Sequence, residues 1–204
     1  MDPKTKPSTS GSRQLFRNPI LELLTRTHIS VTLILYTALP AILLIYGFNK
    51  GHLTAGSAIT LFLSGIVAFT LVEYLMHRFL FHLEPTSEFR KRFAHIVHGS
   101  HHEFPRDKAR ISMPPLPSVL LATFFFLFFR LLLGSYVFGF LPGFYFGYMV
   151  YSGIHYAVHA YQPPKNFLRI LWIHHGIHHY KDPDHAFGVS TPFWDMLFRT
   201  MPKR

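Results

Sequence analysis

Twenty consecutive residues, Ile29 to Phe48, pass without a charged side chain. Coiled as an α-helix, such a run is about 30 Å long, enough to cross the hydrocarbon core of a bilayer. A second long apolar run, Ser57 to Phe81, keeps Glu73, His77 and Arg78 for its end, and two more follow at Pro117 to Leu133 and Gly143 to about His159. Residues 134–142 between the last two carry no charge and predict a tight hairpin, with Pro40 and Pro142 as tolerated kink or turn positions. Charged residues are 15% of the chain, against roughly 25% in soluble domains. The expected fold is therefore all-α and integral to a membrane, with four transmembrane helices.

The basic residues orient these helices. Lys4, Lys6, Arg13, Arg17 and Arg26 precede the first run; Arg90, Lys91, Arg92, Arg106, Lys108 and Arg110 lie between the second and third; Lys165, Arg169, Lys181, Arg199, Lys203 and Arg204 follow the fourth. The two opposite turns hold only Lys50. By the positive-inside rule both termini are cytoplasmic, and the formal charge of +10 is explained without nucleic acid as a partner. Residues 1–13 are polar and basic, lack the apolar core of a secretory signal, and read as a disordered cytosolic tail before one membrane domain over 14–204. Phe16, Ile20, Leu23 and Leu24 recur at helical spacing among Arg13, Arg17 and Arg26, as in a helix lying at a membrane interface or leading into the first span.

With no cysteine, disulfides, iron–sulfur clusters and thiolate-ligated zinc or haem are excluded. Histidine is abundant instead, with fifteen copies. Ten fall into four groups on the cytoplasmic side: His77 and His82; His98, His101 and His102; His155 and His159; His175, His178 and His179. The second and fourth groups have i, i+3, i+4 spacing and the third i, i+4, so on helices the rings of each group share a face. His77 and His82 are roughly 140° apart on an ideal helix, which predicts either different ions or a pair straddling a helix end. Ten imidazoles exceed the ligands of one first-row ion, so the count predicts two metals. Iron suits a site facing unactivated hydrocarbon chains, because splitting a C–H bond needs a redox metal. Zinc binds imidazole more tightly than iron(II), so purified protein could carry zinc and be inert.

The four boxes, His77-Arg-Phe-Leu-Phe-His82, HGSHH at 98–102, His155-Tyr-Ala-Val-His159 and His175-Gly-Ile-His178-His179, resemble those of the fatty acid hydroxylase and sterol desaturase superfamily. The run with Pro105, Asp107, Arg110, Met113, Pro114 and Pro115, and the closing FGVSTPFWDMLFRT, are most similar to the fatty acid 2-hydroxylases. The likeness spans about Phe16 to Thr200. It implies four membrane helices under a cytosolic helical cap, a di-iron centre held by the ten box histidines, and hydroxylation of a long fatty acyl chain at carbon 2 with O2 and electrons. Some members carry a fused cytochrome b5 domain; here few residues precede the first span and His-Pro-Gly-Gly is missing, so a separate donor such as cytochrome b5, ferredoxin or a reductase is expected. The alternatives are a sterol or carotenoid desaturase or hydroxylase with the same boxes, and a membrane metal transporter or sensor; transport is disfavoured because the boxes sit at the cytoplasmic helix ends.

Outside the boxes, His28 and His52 are expected at the interface, His95 in the metal-binding layer as a ligand or supporting group, and His174 towards substrate or solvent; His185 has no assigned role. Glu73 either orients a ligand imidazole or is a paired carboxylate, and Asp195 is expected as a structural anchor. Tyr148 and Tyr151 share the face of His155 and are candidates to line an acyl tunnel. Arg106, Lys108 and Arg110 are expected near the substrate headgroup.

Overall fold

The computed structural model describes residues 7–84 and 86–202, and the described residues are helical or irregular, without a strand. The helices are α1 (Pro19–Leu23), α2 (Ile29–Asn49), α3 (Ala55–Leu75), α4 (Glu88–Ala94), α5 (Ser100–Glu103), α6 (Pro115–Leu133), α7 (Val137–Ala160), α8 (Arg169–Tyr180) and α9 (Phe193–Leu197). A π-helical stretch, Met76–Phe81, prolongs α3, and another, His95–Gly99, joins α4 to α5. Of the expected tail, residues 1–6 lie outside the described residues, as do Lys203 and Arg204 of the basic C-terminal segment. Residues 7–13 form no helix, and the Ser8 N–H donates to the Glu103 carbonyl at 2.8 Å.

Local chemistry sets the helix starts. Asn18 caps α1 ahead of Pro19, the His28 ring accepts the Ser30 N–H at the start of α2, and Thr54 with Ser57 forms a capping box at α3. α6 ends at Gly134, whose φ of 56° and ψ of −131° suit a residue without Cβ. One 3-10 turn, Gly134–Tyr136, then reverses the chain into α7. The expected loop to Pro142 is thus shorter than its composition suggests: Pro142 lies inside α7, which forgoes the bond to the Phe138 carbonyl and packs closely on α3. A Cβ on Gly143 would lie 1.9 Å from the Phe62 carbonyl oxygen, and one on Gly65 2.0 Å from that of Phe140. The two backbones touch, as small residues permit in membrane helices.

α7 is the central helix, with α2 and α3 on its flanks and α6 folded back antiparallel on it: Phe125 meets Phe144 at 4.9 Å and Phe129 meets Phe140 at 4.8 Å between ring centroids. Val137, Leu141, Phe144 and Tyr145 form the buried core, while Ile34, Ile45, Leu63, Val67, Leu127 and Leu131 point outwards. Exposed apolar faces of this length suit lipid. Three stretches are long and apolar enough to cross a membrane: Ile29–Asn49, Ala55–Phe81 and Pro115–Ala160, the last folded in two at Gly134. Everything that bears a box histidine gathers at one end of this bundle.

Candidate metal centre

His77 and His82 come together because α3 runs on as a π-helix. The His82 N–H bonds the His77 carbonyl at 3.3 Å, an i to i+5 bond that makes five residues one turn. The rings therefore stand 5.2 Å apart at the helix end instead of diverging. The HGSHH box likewise leaves a π-helical stretch for α5, whereas His155 and His159, and His175 and His179, use ordinary i, i+4 helix spacing on α7 and α8.

The ten histidines form two groups of five. His77, His82, His98, His102 and His178 make the first, and His101, His155, His159, His175 and His179 the second; in each group one ring nitrogen per residue lies within 4.8 Å of all the others. The two three-histidine boxes do not each converge on one point, as their shared faces suggest, but are divided, while His77 with His82 and His155 with His159 stay together. The i, i+4 pair of each triple goes to one group and the i+3 histidine to the other, because that ring lies on the far side of the pair. The HGSHH box gives two rings to the first group and one to the second, and α8 does the reverse, so the groups interlock.

The donor set fits metal ions. In the first group Nε2 atoms meet at 3.0 Å between His77 and His98, 2.9 Å between His98 and His102, and 3.0 Å between His82 and His178; in the second His159 and His175 meet at 3.0 Å. With metal–nitrogen bonds of about 2.1 Å, ligands at right angles stand about 3.0 Å apart and tetrahedral ones about 3.4 Å, so these edges suit five- or six-coordination. The tautomers agree. Nδ1–H of His77 donates to the Phe187 carbonyl at 2.5 Å and that of His178 to the His185 carbonyl at 2.8 Å, which turns both Nε2 lone pairs inwards. Both nitrogens of His101 and of His179, and Nε2 of His155, are buried without a partner among the described residues. Burial first, then neighbouring imidazoles, hold His98, His101, His102, His175 and His179 well below the ordinary value of 6.5, and burial with His77 does so for His178, so these rings stay neutral and able to ligate.

One loop, 185–190, orients the first group. Ala186 between the two accepting carbonyls has φ of 61°, a left-handed conformation costing an alanine about 1–2 kcal/mol. Two buried carboxylates hold it. Asp195 accepts the N–H groups of Phe187 at 2.9 Å and Gly188 at 2.8 Å, the Thr200 hydroxyl at 2.7 Å and His174 Nε2 at 3.0 Å. Burial raises its pKa, but these donors outweigh that and keep it below the usual carboxylate value. Glu73 accepts the Val189 and Ser190 N–H groups at 2.7 and 2.9 Å, and the Ser190 hydroxyl. Of the two expectations for Glu73, ion pairing is not seen among the described residues; the carboxylate instead holds the loop whose Phe187 carbonyl meets His77.

The remaining histidines separate cleanly. His174 does not face substrate or solvent; it is buried against Asp195 because the helix turn that carries His175 and His178 inwards points it at α9. His185 contributes its carbonyl, which sequence alone could not reveal. His95 pairs with Glu103 at 3.2 Å outside both groups. Arg110 is not free for a headgroup: its guanidinium, 5% exposed, pairs with Glu22 and donates to Thr25 at 2.5 Å. Glu22, which no motif marked, also accepts the Leu15 and Phe16 N–H groups and so ties α1 to the segment before it and to Arg110.

An apolar cavity of about 660 Å³ is lined by Leu15 and Leu24, which flank α1, by residues of α6, and by His98, His101 and His155. Tyr148 and Tyr151 line it, as their register on α7 predicts, together with Tyr36, Phe69 and Phe125.

Ten imidazoles, nine of them buried and His82 partly so, form two interlocked groups that could hold metal ions at the end of an apolar helical bundle and beside an apolar cavity. The fatty acid hydroxylase family model matches residues 62–200, and the chain belongs to that family. It is 40% identical over 147 residues to a fatty acid 2-hydroxylase of Rattus norvegicus, covering 70% of this chain and 40% of that protein. It is 39% identical over 198 residues to the ceramide very long chain fatty acid hydroxylase scs7 of Schizosaccharomyces pombe, covering 94% of this chain and 55% of the relative. The chain thus spans about half the length of these curated relatives. A solved structure of full-length scs7p, with only the hydroxylase domain visible, superposes with a TM-score of 0.86 at 34% identity, covering 95% of this chain and 73% of that one.

Proposed function

We propose that the protein is a membrane-bound di-iron monooxygenase that hydroxylates a long-chain fatty acyl group at carbon 2, with each group of five histidines holding one ion. The observation that carries this reading is the apolar cavity ending at His98, His101 and His155, rings drawn from both groups. The relatives' names, fatty acid 2-hydroxylase and ceramide very long chain fatty acid hydroxylase, support the acyl substrate and the position. Residues 14–204 act as one domain. Four spans, α2, α3, α6 and α7, place both termini and the histidine layer in the cytoplasm; the charge asymmetry supports this, with Lys50 and Arg130, in the last turn of α6, on the far side.

Bound iron supplies O2 activation and C–H cleavage, consuming two electrons and two protons per turnover and releasing water, with the electrons coming from a separate carrier. The chain's own residues do the rest. Phe69, Phe125 and the tyrosines hold the acyl chain in a water-poor channel, which restricts the bonds that can reach the histidine layer. The Phe187 and His185 carbonyls keep His77 and His178 in one tautomer.

The test is expression in a host that lacks 2-hydroxy lipids, fed acyl chains deuterated at carbon 2 and analysed by mass spectrometry. The reading requires 2-hydroxy products that have lost one deuterium. Hydroxylation at the chain terminus or on a sterol ring would overturn it.

A further inference from the structure

Buried hydroxyls without partners are costly, because the water they gave up is not replaced. Ser112, 6% exposed, and Ser152, 3% exposed, both line the cavity; the Oγ of Ser112 has no partner among the described residues, and beside that of Ser152 stands only the Tyr148 hydroxyl. They come from different elements to one place. Ser152 lies one turn before His155 on α7, and Ser112 follows Ile111, whose carbonyl lies against the His155 ring. The Tyr148 hydroxyl reaches towards Ser152 from the turn before. The rest of the cavity is largely aromatic and aliphatic, so a polar pair at its metal-facing end is out of character with its walls.

The charge at this spot is as informative. Arg110 is the one Lys or Arg among the described lining residues, and its guanidinium is committed to Glu22 and Thr25. Two neutral donors without a cation suit an uncharged carbonyl, as in an amide or ester, better than a carboxylate, whose burial without a counter-charge is unfavourable.

We infer that Ser112 and Ser152 form a neutral two-hydroxyl clamp for the acyl carbonyl of an amide- or ester-linked substrate, and that this clamp sets which carbon meets the second histidine group. It rests on the acyl hydroxylase reading above. A carbonyl held beside His155 leaves carbon 2, one bond away, as the first C–H-bearing carbon at His101 and His155. Without the clamp the chain loses two of the few hydroxyls that line a mostly apolar channel and is freer to slide along it. Ser112 and Ser152 are positioning residues: they hold the substrate and take no part in bond breaking.

The test uses the full chain in lipid nanodiscs, with Ser112→Ala, Ser152→Ala and the double variant, Ser112→Thr to restore a hydroxyl, and Ser64→Ala on the outer face of α3 as a control. Zinc-loaded protein reads binding apart from turnover, with an N-acyl amide and the free acid of equal length as probes. The clamp predicts tighter binding of the amide by wild type, a loss of roughly tenfold for each alanine variant, recovery with threonine, and unchanged affinity for the free acid and in the control. Iron-loaded single variants should keep two ions per chain yet spread hydroxyl from carbon 2 to carbons 3 and 4. If wild type makes 2-hydroxy product and the alanine variants bind the amide and keep carbon 2 selectivity unchanged, the clamp is refuted while the hydroxylase reading stands. If wild type hydroxylates elsewhere, that reading fails first. Should the double variant lose zinc, the single variants carry the test.

Discussion

The two histidine groups use the same side chain but are built in different ways. The second takes four of its five rings from unbroken α7 and α8 at i, i+4 spacing, and all five are buried. The first depends on two π-helical stretches and on a loop whose carbonyls lock His77 and His178, and its His82 is only partly buried. Regular helix supports one group; a loop anchored over more than a hundred residues, from Glu73 to Ser190, supports the other. The second should therefore fail only when a ligand is removed, whereas the first should also fail at a distance.

Removing a ligand tests the part the groups share. His159→Ala and His77→Ala should each lower hydroxylation by at least about 100-fold, beyond the 10–100-fold seen when residues that merely support ligands are changed. Equal, full activity in either variant would break the comparison at its root.

The distal anchors test the part they do not share. Asp195→Asn keeps the shape but turns one oxygen into an NH2 group, losing the acceptor for two of its four donors, and should weaken metal binding to the first group by about 10–100-fold while sparing the second. Asp195→Ala, which also strands buried His174, should cost about 3–5 kcal/mol of stability by thermal or denaturant unfolding. Glu73→Gln retains one acceptor oxygen for the Val189 and Ser190 amides, so its loss should sit near the lower bound, about tenfold. Competitive titration with a zinc indicator distinguishes the two sites by their affinities.

Much of this contrast was hidden in the sequence for physical reasons. The four apolar runs were legible because they are uncharged and of bilayer length, and His155 with His159 was legible because i, i+4 is the repeat of an ordinary helix. The i to i+5 turn at His77 is not encoded in the spacing of His77 and His82 alone, since π-helical geometry depends on how the helix end packs. The division of HGSHH and HHGIHH between two groups follows from how α5 faces α8, which no single segment encodes. Arg110 was counted with the basic residues near a headgroup, but its partner Glu22 lies 88 residues away in the sequence. Ala186 adopts a left-handed backbone that its residue type does not advertise.

Acid should sharpen the comparison next. In metal-free protein the buried imidazoles of α5 and α8 titrate well below 6.5, so below about that pH the unfolded chain binds more protons than the folded one. Stability is then full above neutrality and falls as pH drops through 6.5. Melting temperatures of chelator-treated protein between pH 8 and 5 should decline only in the lower half. Melting that rises with acid would contradict neutral, buried rings.

The smallest effects belong to histidines outside both groups. His28→Ala removes only a helix cap, costing about 0.5–1 kcal/mol, and His52→Ala removes a ring stacked 5.4 Å from Phe138; neither should change metal content.

The most direct measurement is the metal-to-protein ratio of the purified chain, by elemental analysis, alongside His82→Ala and His179→Ala. Two separately built groups predict two ions per chain in the wild type. His82→Ala should lose the first ion and keep the second, and His179→Ala the reverse, so each falls towards one. A wild-type ratio of one, or both ions lost together from either variant, would contradict two distinct metal sites.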